Sequence, residues 1–564
     1  MSKLHNAACL TAIDAGSAFQ VLISARHPAR RLRSGKRPMS GRGSGLRFII
    51  VDPASDPSHS GVIREVRSHA GRWTWQQGRR SQPETADGIG SDGDDTAHRD
   101  LDNLGQLVLT HQTPPAPTPA NRPCPSTLDP FQTYVSAPIS IETVSVSNKY
   151  SLSVLWPGLM PSQPGSIHPG VQAWFSNSRS HPALHSSMLF GSLSHRRTRV
   201  SKSQRQLSAT DSKTMVLSQI DSISKINTAL QDPSLAVTDE IILSVLCLAT
   251  NDSPDLRDIK HSPFQPTLRS LQWLDIYARL SPNPIHQAGL LRLVELRGGL
   301  YKLKLPGLAA VISFSGILSA SRSLSRPIFP FVPLQSVAPP TLQDTINIQE
   351  HIIDSGRDIL LSLQVTEEMH SVFCAARVYV SIVDAYQQGS ALAMHSAAIC
   401  DHRNLLQWQI MSLPPVNELG SVIDVLGPMY EPCRLALIIL GVGVVFPLPA
   451  ETSPLVEASR MLQIALQAYS YSTPSLGSQS TVASLEVLRV YCWCVVLGGI
   501  ASTGSHERVW FVHELRQVAA AIPVSSWSEL HFVLRSILWF DEACSSAGKE
   551  LFMEATHYLN NSES

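Results

Sequence analysis

At 564 residues and 61.5 kDa the chain has room for three to four domains of about 150 residues each. Its 45 basic and 45 acidic side chains cancel, and 16% of residues are charged against about 25% in ordinary soluble domains, so overall charge points to no partner. The 39 Pro and 32 Gly are too few for a collagen-like or wholly disordered chain.

Charge is placed unevenly along the first quarter. Residues 22–80 carry thirteen Arg or Lys against Asp52, Asp56 and Glu65, a surplus of ten positive charges, whereas 81–130 carry two basic residues against eight acidic ones. This sign reversal predicts a basic disordered leader over 1–46, a basic arm over 47–80 and an acidic, Pro-rich disordered linker over 81–127. Arg30, Arg31, Arg33, Lys36 and Arg37 in the leader are candidates for nucleic-acid contact or nuclear import. Trp73 and Trp75 bring ring faces that stack on bases or dock on the chain's own surface.

Residues 128–213 read as approach segments followed by a soft, Ser-rich stretch at 192–213. Arg196, Arg197, Arg199, Lys202 and Arg205 make that stretch a solvated loop or, more sharply, an import or nucleic-acid patch. From 214 to 557 helical patterns dominate. Thr238 before Asp239-Glu240 reads as an N-cap with acids in the first turn of a helix apolar nearly all round. Thr366 opens another, whose Met369, Val372, Phe373, Val380 and Val383 recur at three- and four-residue steps. Further helical windows fall near 285–298, 430–446, 455–470, 481–498, 506–521 and 527–555. The expectation is an all-α protein with a single large irregular helical domain.

The most apolar runs, Leu435–Pro447 and Val490–Ile500, are shorter than the roughly 18 residues that cross a bilayer, so they read as buried helices and no membrane partner is expected. Nine cysteines in no regular framework suit a reduced compartment. Cys492 and Cys494, two apart, read as apolar filler in a buried helix. No Gly-rich loop followed by Lys-Ser/Thr appears, no G-x-G-x-x-G opens a helix after a strand, and a G-x-S-x-G nucleophile turn is missing. His181 and His185 in HPALH lack the Glu and third ligand of a zinc protease. No converging acid, base and nucleophile assembles, so the expectation is no enzyme, no catalytic or metal-ligating residue and no cofactor.

Four separated stretches resemble the regulatory region of fungal-specific transcription factors of the zinc-cluster type. One is HQAGLLRLVELRGGL at 286–300, with His286, Gly289, Leu290, Arg297, Gly298 and Gly299 carrying the likeness. Its apolar side reads as Leu290, Leu293, Val294 and Leu296, with Gly298 or Gly299 as a left-handed cap. The second is the approach LDPFQTYVSAPI at 128–139, SVLWPGLMP at 153–161 and PALHSSMLFGSLSH at 182–195. EPCRLALIIL at 431–440 is the third, and WCVVLGGIASTGSHERVWFVHEL at 493–515 followed by LRSILWFDEAC at 534–544 is the fourth. The arm at 47–80 resembles that of members without the cysteine cluster, and residues 1–120 contain only Cys9, so no family metal ligand carries over.

The resemblance implies a nuclear regulator of RNA polymerase II transcription. Its helical domain would act through DNA, reached by the basic arm or by a partner chain, through homo- or heterodimers, and under a small-molecule effector. The alternative is an interaction protein without DNA binding, a heterodimer partner or decoy that keeps only the helical domain.

Overall fold

The structure, a computed structural model, describes residues 139–201, 207–251, 261–335, 363–389, 394–419, 427–472 and 482–557. The leader, arm and linker, with Arg30, Arg31, Arg33, Lys36 and Arg37, lie outside the described residues, as do Lys202 and Arg205. All described residues fall in one unit, Cys124–Ser564. They are helical and contain no strand.

In chain order the helices are α1 (Ile141–Tyr150), α2 (Trp156–Leu159), α3 (Pro169–Ser178), α4 (Pro182–Ser201), α5 (Ala209–Leu230), α6 (Pro233–Ala236), α7 (Asp239–Thr250), α8 (Leu274–Tyr277), α9 (Pro284–Arg297) and α10 (Leu308–Ser323). There follow α11 (Glu367–Gln387), α12 (Ser396–Ser412), α13 (Tyr430–Leu440), α14 (Leu455–Ser472), α15 (Val482–Ala501), α16 (Glu507–Ala521), α17 (Trp527–Ile537) and α18 (Asp541–His557). In the first group α4 packs on α5 and α7, and α7 packs on α9. In the second, α13, α14 and α15 pack on one another, and α16 and α18 lie against α15. The link is α12, which packs on α10, α11 and α13.

The two most apolar runs form the centre. The segment 435–446 is buried throughout as α13 and a π-helical turn, Gly441–Val445. From Val490 to Ala501, α15 is buried on every face. Such all-round burial is what a helix without a polar face requires. No described helix is long and apolar enough to cross a membrane. Gly498 marks a close approach in this core, because a Cβ there would lie 2.3 Å from the Phe511 ring. Cys400, Cys433, Cys492, Cys494 and Cys544 are wholly buried in this core, and no disulfide occurs among the described residues.

Several local readings hold. Thr366 Oγ1 accepts from Met369 N at 3.2 Å and caps α11. Others are corrected. Thr238 does not cap α7 with its side chain; its Oγ1 donates to Leu235 O at 2.9 Å. The window 527–555 is two helices: Ser526 and Glu529 form a capping box on α17, and extended Leu538 then places Trp539 and Phe540 in the core before α18. Trp493 Nε1 donates to the Leu538 carbonyl at 2.6 Å, which satisfies a backbone group that the break exposes.

The Ser-rich stretch is not a solvated loop over 192–201. It is the last half of α4, with Ser192, Ser194, His195 and Thr198 buried. Their polarity is absorbed locally, since Ser192, Ser194 and Thr198 donate to the carbonyls of Ser147, Asn251 and Ser194.

Two polar clusters are built into the core. Arg403 is fully buried and donates to Leu271 O, Gln272 Oε1 and Asn404 Oδ1 at 2.8–3.1 Å, with its guanidinium 5.1 Å from the Phe446 ring centroid. It fastens a backbone that turns through left-handed conformations at Gln272 and Trp273 (φ 59° and 54°). Asp401, also buried, accepts from Leu334 N at 2.7 Å and Gln335 N at 3.2 Å, and His168 Nε2 meets Leu334 O at 3.1 Å.

Candidate functional site

The motif at 286–300 resolves into a structural clasp. Asn283 caps α9, its Oδ1 accepting from Ile285 N and His286 N, and Gly289, Leu290, Leu293 and Val294 are buried. Leu296 is 40% exposed, a correction to the expected apolar side: at about 100° per residue it lies well round the helix from Leu290. Gly298 closes α9 at φ 94°, a left-handed conformation that costs glycine nothing. Arg297 Nη2 then reaches Asp239 Oδ1 at 3.0 Å, and Asp239 Oδ2 accepts from Lys304 N and Leu305 N at 2.6 and 2.8 Å. Asp239, half of the expected acidic first turn, serves this clasp.

A cleft opens beside α7. Its wall comes from the turn before α2 (Leu155), α2 (Trp156), α4 (Met188, Gly191), α7 (Leu246, Cys247) and α10 (Phe314, Arg322). The cavity is about 60 Å³, and the wider cleft, counting space open to solvent, is about 770 Å³. A π-helical turn, Ser151–Leu155, sets Trp156 into the wall, where it meets Trp174 edge-on at 6.1 Å. Trp174 Nε1 donates to Pro306 O at 2.9 Å, which anchors that wall to the loop before α10.

The cleft is apolar with few polar groups, the usual character of a small-molecule site. Burial pushes the Cys247 thiol up to about 12, so it stays protonated at neutral pH. Asn251 Oδ1 is buried and has no donor among the described residues, while its Nδ2 donates to Cys247 O. Arg322 Nη2 donates to the carbonyls of Tyr277, Ala278 and Leu280, and burial lowers its pKa to about 10.

Behind the cleft lies an aromatic box around His195. Its Nδ1 is 2.9 Å from Tyr150 Oη, and its ring stands 5.2 Å from Trp273 and 5.5 Å from Tyr277. Burial first, and the Arg199 charge second, push the His195 pKa down to about 3. At neutral pH the His195 ring is therefore neutral and the Cys247 thiol protonated.

Of the expected basic patch, Arg199 lies 5.2 Å above the Trp273 ring, and Arg196 reaches Asp211 at 3.5 Å. Arg197 is half-buried, and burial lowers its pKa. His181 Nε2 is 3.9 Å from Glu240, and no group of three or more metal-binding side chains occurs among the described residues. Leu155, Trp156, Met188 and Gly191 lie in stretches that the family likeness singled out, but nothing in the sequence marks them as one cleft, because the convergence depends on segments spread from 155 to 322.

No protein-family model, no curated protein and no solved structure matches the chain.

Proposed function

We propose that this chain is a nuclear transcription regulator whose helical unit is a small-molecule-responsive regulatory region. The observation that carries this reading is the apolar cleft walled by α4, α7 and α10, with Arg322 at its edge. Occupancy would brace helices that otherwise meet across open space, and α10 packs on α12, the link to the second helix group. A ligand that prefers the braced arrangement shifts its population, which is how a sensor domain passes on its state. The fungal transcription-factor likeness over roughly 130–556 and the ten surplus positive charges of 22–80 support placing that sensor in a transcription regulator.

The test is to fuse the full chain to a heterologous DNA-binding module and read a reporter that carries its site. A change in output supports the reading, and stable expression without any change overturns it.

The second reading is an interaction protein without DNA binding. It is favoured by Cys9 being the one cysteine in residues 1–120, where a six-thiolate zinc cluster would be needed. Titrating the full-length chain against specific-candidate and random duplexes over a range of salt separates the two. Sequence-selective binding overturns the second reading, and binding that ignores sequence and collapses with salt confines the arm to phosphate attraction.

A further inference from the structure

We propose that the cleft takes a short-chain monocarboxylate, with the carboxylate on Arg322 and the hydrocarbon against Trp156, Leu246 and Phe314. This rests on reading the cleft as an effector site. Half-buried and buried arginines of this unit mostly keep an acid beside them. Arg279, Arg297 and Arg434 each have a carboxylate within 3.2 Å, from Glu451, Asp239 and Glu431. Arg322 has none among the described residues. Its partners among the described residues are three backbone carbonyls, all on Nη2, and its Nε has no acceptor there, as is also true of Arg279 and Arg297, which do have a carboxylate. Carbonyl dipoles orient a guanidinium but do not neutralise it, and a buried charge is costly until a counter-charge joins it.

Arg377 and Arg403, more deeply buried than the half-buried Arg322, have no carboxylate among the described residues either. Neither lines the cleft, and each has its Nε bonded, to Ile537 O at 2.8 Å and to Asn404 Oδ1 at 3.1 Å. They are closed off, whereas Arg322 borders open space. A guanidinium at the wall of an apolar cleft is the group that attracts a carboxylate there.

Size limits the class. At roughly 10–15 Å³ for each water-sized occupant, a cavity of about 60 Å³ holds about four to six heavy atoms before spilling into the mouth. Apolar walls favour a hydrocarbon body, so the fitting ligand has one charged end and a short aliphatic remainder.

The experiment is titration calorimetry of the full-length chain with pentanoate and with pentanamide, which has the same length and no charge. Pentanoate is expected to saturate one site, and pentanamide to bind at least about tenfold more weakly, the worth of a charge-assisted pair. Arg322→Gln is expected to remove the preference, and Arg322→Lys to keep part of it. Gly191→Leu fills the opposite wall: its first added atom meets Asn251 at an ordinary 3.5 Å, and the rest of the side chain occupies the cavity. It is expected to weaken both ligands, and it carries the test if the Arg322 variants fail to fold. Equal affinity for acid and amide, no saturable binding of pentanoate, or full pentanoate binding by a folded Gly191→Leu chain would each overturn the proposal. The reporter fusion keeps the two ideas apart: a silent reporter with pentanoate bound sinks the regulatory reading alone, and an active reporter without pentanoate binding sinks the ligand class alone.

Discussion

The Arg297 guanidinium lies 3.0 Å from the Asp239 carboxylate, and that carboxylate also accepts the N–H groups of Lys304 and Leu305. One side chain thereby joins the first turn of α7, the last turn of α9 and the chain that leads into α10. Asp239→Ala leaves two backbone donors and a part-buried cation without their acceptor, at an expected cost of about 2–4 kcal/mol. Arg292→Ala, which breaks the exposed pair with Glu295, is expected to stay within about 0.5 kcal/mol. Urea denaturation of the two variants checks the contrast, and equal losses would refute it.

Gly298 offers a backbone test of the same clasp. At φ 94° an added Cβ is strained, so Gly298→Ala is expected to cost about 1–2 kcal/mol, although the nearest atom, on Lys302, is 3.3 Å away and flexible. A thermal melt indistinguishable from wild type would show that the cap can be made another way.

Arg403 makes a demand that lysine cannot meet. Its fork serves Leu271, Gln272 and Asn404 together while lying against Phe446. An ammonium has neither the plane nor the reach to do this. Arg403→Lys is therefore expected to destabilise by roughly 3–5 kcal/mol, close to Arg403→Ala. Denaturation midpoints that place the lysine variant near wild type would contradict this.

Opposed titrations shape the response to pH. Burial raises Asp401 from 3.8 to about 6, against the pull of its two backbone donors and Arg403, whereas His195 falls from 6.5 to about 3. Between pH 4 and 6 the folded chain thus carries the extra proton on Asp401, and the unfolded chain carries one on His195. Their contributions to the slope cancel. Asp401→Asn leaves the histidine alone: the unfolded state then binds more protons, and stability gains about 1.4 kcal/mol for each unit of rising pH relative to wild type. His195→Phe leaves the aspartate alone and reverses the sign. Stability measured at pH 4, 5 and 6 for the three chains gives the slopes, and parallel lines would refute the pairing.

Helices were legible in this sequence wherever periodicity or all-round apolarity was strong. The core runs of α13 and α15, the Thr366 cap and the Gly298 stop are local signals, and the structure places them as read. Illegible features depend on partners distant in sequence. Ser192 and Ser194 look like loop residues until their hydroxyls find carbonyls on α1 and after α7. Thr238 looks like a cap, yet the neighbouring Asp239 takes the structural role because Arg297 folds back to meet it. The break at Leu538 has no Pro or Gly to announce it; burial of Trp539 and Phe540 decides it. Arg322 gives no hint of bordering a cleft, since nothing local records that its partners are carbonyls rather than carboxylates.

Burial of the thiols has a practical side. With Cys247, Cys400 and Cys492 pushed up to about 12, on the order of one in 100,000 of each is ionised at neutral pH, and thiolate is the form that attacks. These sulfurs are therefore slow to react with oxygen, peroxide or maleimide while the helices stay packed. Opening the core releases them together, so the onset of labelling serves as a clock for unfolding that needs no added dye. Cys247 alone of the three borders the cleft, so a small electrophile that labels it in the native chain reports on traffic through the mouth.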